Sequence, residues 1–322
     1  MKLGNPDTPD TRYLNNRLDI MKKKHKKAKR TAGAFSRLPH RFAQNIRINN
    51  LKTIGVIVPE IHHDFFCTAI SGIEGVAYQS GYSVLLCQSN ESYEKEVADT
   101  NLLIRERVAG AIVSVSQNTK SGNHFNDLRK RNIPLVFFDR VCDDYLASNV
   151  RIDDYTSAFD AVTYLIRKGY KRIAHFSGPK ELGISEKRLR GYLDALKQSQ
   201  LQHTEMILHG GLQEHDGYKM MDYLLTNNTI PDAIFAVNDP VALGAFKRIT
   251  EAGLKIPTDV ALLGFSNNEF TSFTNPQLTT VEQPSYEMGR KSAEMLIGTI
   301  EGRIKDFKTL VLDTKLIIRG SA

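Results

Sequence analysis

The stretch that most constrains this chain is residues 52–86, KTIGVIVPEIHHDFFCTAISGIEGVAYQSGYSVLL. Residues 53–58 are β-branched and apolar apart from Gly55, a short unbroken run that predicts a strand covered on both faces. Pro59 ends it. From Phe66 the apolar residues Ile70, Ile73, Val76 and Ala77 recur at three- and four-residue spacings, which puts them on one face of a helix that Gly81 stops. A second strand starts at Ser83. Strand, helix, strand in this order builds a parallel sheet, and ligands of open parallel sheets bind at the carboxyl ends of the strands. The turn carrying Ile61, His62, His63, Asp64, Phe65 and Phe66 is therefore where a site is expected.

The same alternation continues. Strands are expected at 110–115, 134–138, 172–176, 205–209, 233–237 and 260–265, separated by helices at 93–106, 125–131, 154–168, 185–197, 217–225 and 240–252. After them come a short extended stretch at 279–282, an amphipathic helix at 285–301 and two final strands at 309–312 and 315–318. The fold class read from this order is α/β, with two wound parallel-sheet lobes and a chain that crosses between them more than once. A length of 322 residues suits two such lobes. A ligand would lie in the cleft between them.

Charge separates the first fifty residues from the rest. They hold thirteen Lys/Arg against three Asp/Glu, a net +10, whereas the remainder carries 30 basic and 33 acidic residues, a net −3. A short basic, partly helical segment on a slightly acidic body points to a polyanion such as nucleic acid, or to a solvated basic tail. No apolar run approaches the roughly 20 residues of a membrane span, and the basic N-terminus has no apolar core of a secretory signal. Cys67, Cys87 and Cys142 are odd in number and lack metal-ligand spacing, which fits reduced thiols in a cytoplasmic protein. Enzyme motifs are missing: G-F-S-N-N lacks the second glycine of a nucleophile elbow, and no dinucleotide or phosphate-binding glycine loop occurs. His62-His63 is not at helical metal-ligand spacing and reads as a solvated pair. No catalytic residue, metal or cofactor is expected.

The segments TIGVIVPEIHHDFF, GYSVLLCQSN, RVAGAIV, IPLVFFDR, HFSGP, RLRGYLDAL, PDAIFAVNDPVALGAFK, IPTDVALLGF, NPQLTTVEQPSYEMGR and LIIRGS occur in order along residues 51–320. Together they resemble the effector-binding core of the lactose-repressor/galactose-repressor family of bacterial transcription regulators. The resemblance implies a periplasmic-binding-protein-like core over 51–322, joined by three crossovers. Its first lobe would comprise about 51–152 plus 283–312, its second about 153–282 plus 313–322.

It also implies effector contacts. Phe65 and Phe66 match positions that stack on or wall the effector, although either ring could instead pack beneath the turn. Asp139 and Asp153 match polar contacts from the cleft wall, with Asp153 or Asp154 also placed to cap a helix. Arg188 in R-L-R-G matches an arginine that reaches the effector, so Arg188→Ala is expected to weaken binding with the core intact. Asn238 matches a contact at a strand end, with Asp239 a candidate helix cap, and Gln283 lies where the chain crosses lobes. One position departs from the family pattern: G-F-S-N-N puts Ser266 and Asn267 where many relatives have two acidic residues.

The N-terminal segment departs more. R-Y-L-N-N-R-L-D-I, with Arg12 and Asn15, resembles the tail of a recognition helix, whereas the front of the helix-turn-helix has no counterpart and residues 1–38 read as its basic remnant. A lysine run replaces the S-E-E-T expected near residue 21; reverse translation of residues 21–25 with A-rich codons in a shifted frame gives Glu-Glu-Lys-Thr. HRFAQNIR, within a hinge and linker at 39–50, resembles the hinge helix, in which Ile46 wedges a minor-groove step and Arg41, Gln44 and Arg47 face phosphates or groove edges. The expectation is a homodimeric, DNA-binding regulator responding to a small effector, a carbohydrate by the resemblance. The alternative is an effector-binding dimer without specific DNA binding.

Overall fold

The computed structural model describes residues 52–199 and 205–322. Arg12, Asn15, Arg41, Gln44, Ile46 and Arg47 lie outside them. The chain begins with β1 (Thr53–Val58), α1 (Asp64–Gln79), β2 (Ser83–Gln88), α2 (Tyr93–Arg105), β3 (Gly110–Val113), α3 (Asn126–Lys130), β4 (Leu135–Phe138) and β5 (Ser148–Ile152). It continues through α4 (Asp154–Arg167), β6 (Ile173–Ser177), α5 (Gly183–Gln198), β7 (Met206–His209), α6 (Glu214–Thr226), β8 (Ala233–Ala236), α7 (Asp239–Glu251) and β9 (Ala261–Ser266). Last come β10 (Thr279–Glu282), α8 (Ser285–Ile300), β11 (Thr309–Leu312) and β12 (Lys315–Ile317).

The strands form two six-stranded sheets, ordered β11-β5-β4-β3-β1-β2 and β12-β10-β9-β8-β6-β7. Among the described residues every strand pairing is parallel except that of β12 with β10. The continuous apolar runs explain this: β3, β4 and β8 are buried at every position, as strands covered by helices on both faces must be. Each fully buried Val, Ile or Leu contributes about 1.5–3 kcal/mol. The chain passes from one sheet to the other three times, after β5, β10 and β11. Helix α8 follows the second passage and packs on α1, β3, β4 and β5 of the first sheet.

β5 is an addition to the strands expected from sequence. It pairs parallel with β4 across only residues 139–147, without an intervening helix, and its polar Asn149 and Arg151 alternate with buried Val150 and Ile152. Two single 3-10 turns, Asn123–Phe125 and Glu269–Ser272, were likewise not anticipated. Cys67, Cys87 and Cys142 are free thiols. Among the described residues no helix is long and apolar enough to cross a membrane.

Candidate functional site: a cleft at the strand ends

The carboxyl ends of strands from both sheets converge on one small cavity of about 40 Å³. The first sheet contributes Phe65, Phe66, Asp139 and Arg140 to its wall, while Arg188, Asn238, Ser266 and Gln283 come from the second sheet or the crossing after it. That volume holds a water or two rather than a ring. A second space of about 400 Å³ shares Asp139, Arg140 and Ile184 with it and continues outward between Lys120 and Glu181. Lys120 and Glu181 meet at 2.7 Å across the opening, both largely exposed.

The aromatic wall is part of the core. Phe65 and Phe66 are 9% and 4% exposed, stand edge to face at 5.1 Å, and Phe66 meets Phe138 at 6.3 Å. Each therefore both packs in the core beneath the turn and lines the cavity. Asp139, directly after β4, has a positive φ of 58° and is buried. Burial pushes its carboxyl up to about 6, against the pull of Arg140 beside it. Arg140 donates from Nη1 to both carboxylate oxygens of Glu91 at 2.8 and 3.0 Å, while its buried Nε has no hydrogen bond among the described residues. Sequence reading passed over Arg140; its position next to Asp139 at a strand end was the available signal.

Arg188 is held on all sides. Nε donates to Asp154 Oδ1 at 2.9 Å, Nη2 lies 2.7 Å from the same oxygen, and Nη1 donates to the Val237 carbonyl at 2.6 Å. Its guanidinium stacks 3.7 Å over the Phe265 ring. Arg188 and Asp154 are 2% and 3% exposed. Burial raises the Asp154 carboxyl and Arg188 opposes that rise. A guanidinium carries five N–H donors, so some remain for a ligand.

The other expected contacts divide. Asn238 caps α7, accepting from the Val241 amide and donating to the Leu212 carbonyl, each at 2.9 Å, so its amide is engaged at both ends. It takes the capping role expected of Asp239. Asp239 is instead fully buried, accepting from the Thr280 hydroxyl at 2.6 Å and the Asn268 amide at 2.8 Å. Ser266 has a φ of 132° and donates to Gln283 Oε1 at 2.9 Å, leaving the buried Gln283 Nε2 without a hydrogen bond of good geometry among the described residues. Such backbone strain is tolerated where the surroundings impose it, often at a binding site.

Asp153 does not join this group. It caps α4, accepting from the Thr156 amide at 3.0 Å and hydroxyl at 2.8 Å. Partial burial works against its ionisation, but those donors win and hold its carboxyl below the usual range. It lines a separate depression with Arg151, Lys187 and Arg190. The adjacent Asp154 borders the same depression but is buried against Arg188.

Comparison with known proteins decides the family. A periplasmic binding protein-like domain matches residues 162–322. The HTH-type transcriptional repressor CytR of Escherichia coli strain K12 is 33% identical over 313 residues, covering 97% of this chain and 91% of CytR. The chain belongs to the lactose-repressor/galactose-repressor family. The HTH-type transcriptional repressor PurR of Histophilus somni is 30% identical, with 88% of this chain and 85% of that protein covered. Among solved structures, a LacI family transcriptional regulator from Enterococcus faecium with bound ribose has a TM-score of 0.76 at 30% identity, covering 84% of this chain and 98% of that one. The lactose-repressor family is one of transcription regulators rather than enzymes, and the two wound sheets here are its fold.

Proposed function

We propose that this chain is an effector-responsive, DNA-binding transcription regulator that acts as a cytoplasmic homodimer. The observation carrying the ligand half is the cleft, where an aromatic wall and a set of buried donors and acceptors from two sheets meet. Phe65 and Phe66 offer an apolar face to a ring. Asp139, Arg140, Ser266 and Gln283 offer both donors and acceptors to hydroxyls. This chemistry suits a carbohydrate or a similar polyhydroxylated ring, admitted when the two sheets move apart and the small cavity opens into the larger space beside it, and the relative from Enterococcus faecium holds ribose. The DNA half is supported by the basic first fifty residues and by the 97% coverage of the match to CytR, which runs into that segment. Effector binding would alter how the two sheets approach each other and thereby the spacing of the DNA-binding segments. Such coupling is reciprocal: DNA must alter effector affinity by the same factor.

The test is binding of the purified chain to its own upstream DNA and to scrambled DNA across a salt series. A preference for the upstream sequence that survives moderate salt, and that shifts when a bound sugar is added, is the expected result. Equal, steeply salt-sensitive binding to both would overturn the regulator reading in favour of an effector-binding dimer with nonspecific phosphate contacts.

A further inference from the structure

We propose that Glu60, His62 and His63 form a binding site for a divalent transition metal of the zinc class at the edge of the cleft, completed by Gln213 from the other sheet's lobe. The three residues stand on the turn between β1 and α1, so two rigid elements fix their positions. Their donor atoms all lie within 4.8 Å of one another. Glu60 Oε2 is 3.5 Å from His62 Nε2 and 3.4 Å from His63 Nε2. Tetrahedral coordination at bond lengths of ~2.0–2.2 Å puts donors about 3.3–3.6 Å apart, so two edges of the polyhedron are already set. Two imidazoles and a carboxylate suit zinc, whereas calcium and magnesium favour oxygen donors throughout.

Gln213 supplies the remaining side. Its Nε2 donates to both Glu60 oxygens at 3.0 and 2.9 Å, and its Oε1 lies 3.0 Å from His63 Nε2. Without metal, that last contact needs a proton on His63 Nε2. When the ring gives its Nε2 lone pair to an ion instead, the Gln213 carbonyl oxygen is freed beside it and needs to move only a few tenths of an ångström to stand as a further ligand. The Glu60 carboxylate has lone pairs enough to bind metal and still accept from Gln213. Glu60 and His63 side chains are 14% and 17% exposed, which holds them in place, whereas His62 is 60% exposed and leaves a path for entry. The bound ion would thus link the two lobes at the mouth of the cleft. This holds whichever small molecule the cleft takes.

The experiment uses the full chain, freed of metal with a chelator and titrated with zinc chloride alone by calorimetry, then with cobalt(II) followed by visible absorption. One equivalent of zinc and the cobalt band of a four-coordinate site are expected. His62→Ala, at an exposed ring, and Glu60→Gln should each weaken zinc ~tenfold or more and remove the cobalt band. Gln213→Ala should shift that band. Unchanged zinc affinity in His62→Ala and Glu60→Gln, including zinc retained by histidines elsewhere, or no zinc bound by the parent chain, would overturn the site. An unshifted cobalt band in Gln213→Ala would overturn the link between lobes.

Discussion

Arg188 lines the cavity as its motif leads one to expect and is at the same time bound into the core. Its guanidinium is clamped by Asp154, the Val237 carbonyl and the Phe265 ring. Arg188→Ala would strand Asp154 as an unpaired buried acid, at a cost of about 3–5 kcal/mol. The expectation of an intact core is therefore replaced: urea unfolding should show a large drop in midpoint for Arg188→Ala. Adding Asp154→Asn should recover part of it, because the two residues are coupled. Equal losses in the single and double variants would contradict the pairing. The same pair shows what sequence could and could not tell about the site. Asp139, Asn238 and Gln283 are legible because each follows a strand, Ser266 because it ends one, and Phe65 and Phe66 because they open the helix after β1; strand ends converge. Asp153 and Asp154 are indistinguishable by type and spacing. Only the direction of the first turn of α4 decides that one caps the helix while the other is buried.

At the scale of elements, continuous apolar runs made the inner strands legible, because burial on both faces leaves no room for polar positions, and one apolar face at three- and four-residue spacing made the helices legible. β5 escaped because it is half polar and because a parallel neighbour ordinarily requires a helical crossover. What sequence does not show is why helices meet where they do. Gly72 and Gly289 sit where α1 and α8 touch; a Cβ on Gly289 would run into the Ala69 carbonyl, and one on Gly72 into the Tyr286 carbonyl. These obstacles are backbone, which cannot swing aside. Gly289→Ala should therefore force the helices apart and lower stability by about 1–3 kcal/mol, visible as a reduced melting temperature. Gly75, on the same helix as Gly72, has only the Tyr286 hydroxyl near its added Cβ, at 3.7 Å. Gly75→Ala should be neutral or stabilise by about 0.5–1 kcal/mol through helix propensity. If both alanines leave stability unchanged or raise it alike, helix propensity and not the close approach governs this contact.

At the scale of the whole molecule, folding stability depends on the protons held by every buried group, and two of these groups oppose each other. His175 in β6 is fully buried, with Nδ1 2.9 Å from the Phe235 carbonyl, and burial pushes it down to about 4. Asp239 is equally buried, and burial pushes it up to about 6 despite the donors from Thr280 and Asn268. Unfolded, a histidine titrates near 6.5 and an aspartate near 3.9. Between about pH 4 and 6 the unfolded chain therefore holds the histidine proton that the native chain lacks, whereas the native chain holds the aspartate proton that the unfolded chain lacks. His175 costs stability as pH falls through this window; Asp239 costs stability as pH rises through it. Each slope approaches at most about 1.4 kcal/mol per pH unit. Two uncharged replacements separate them. Relative to the parent chain, His175→Phe should gain stability on acidification from pH 6.5 to 4, and Asp239→Asn should gain on raising pH from 4 to 6, whatever constant offset each carries from lost hydrogen bonds. Denaturant midpoints measured across that range give the comparison. Differences of the same sign in both variants would mean that at least one of the two groups is not held in the protonation state that its burial imposes.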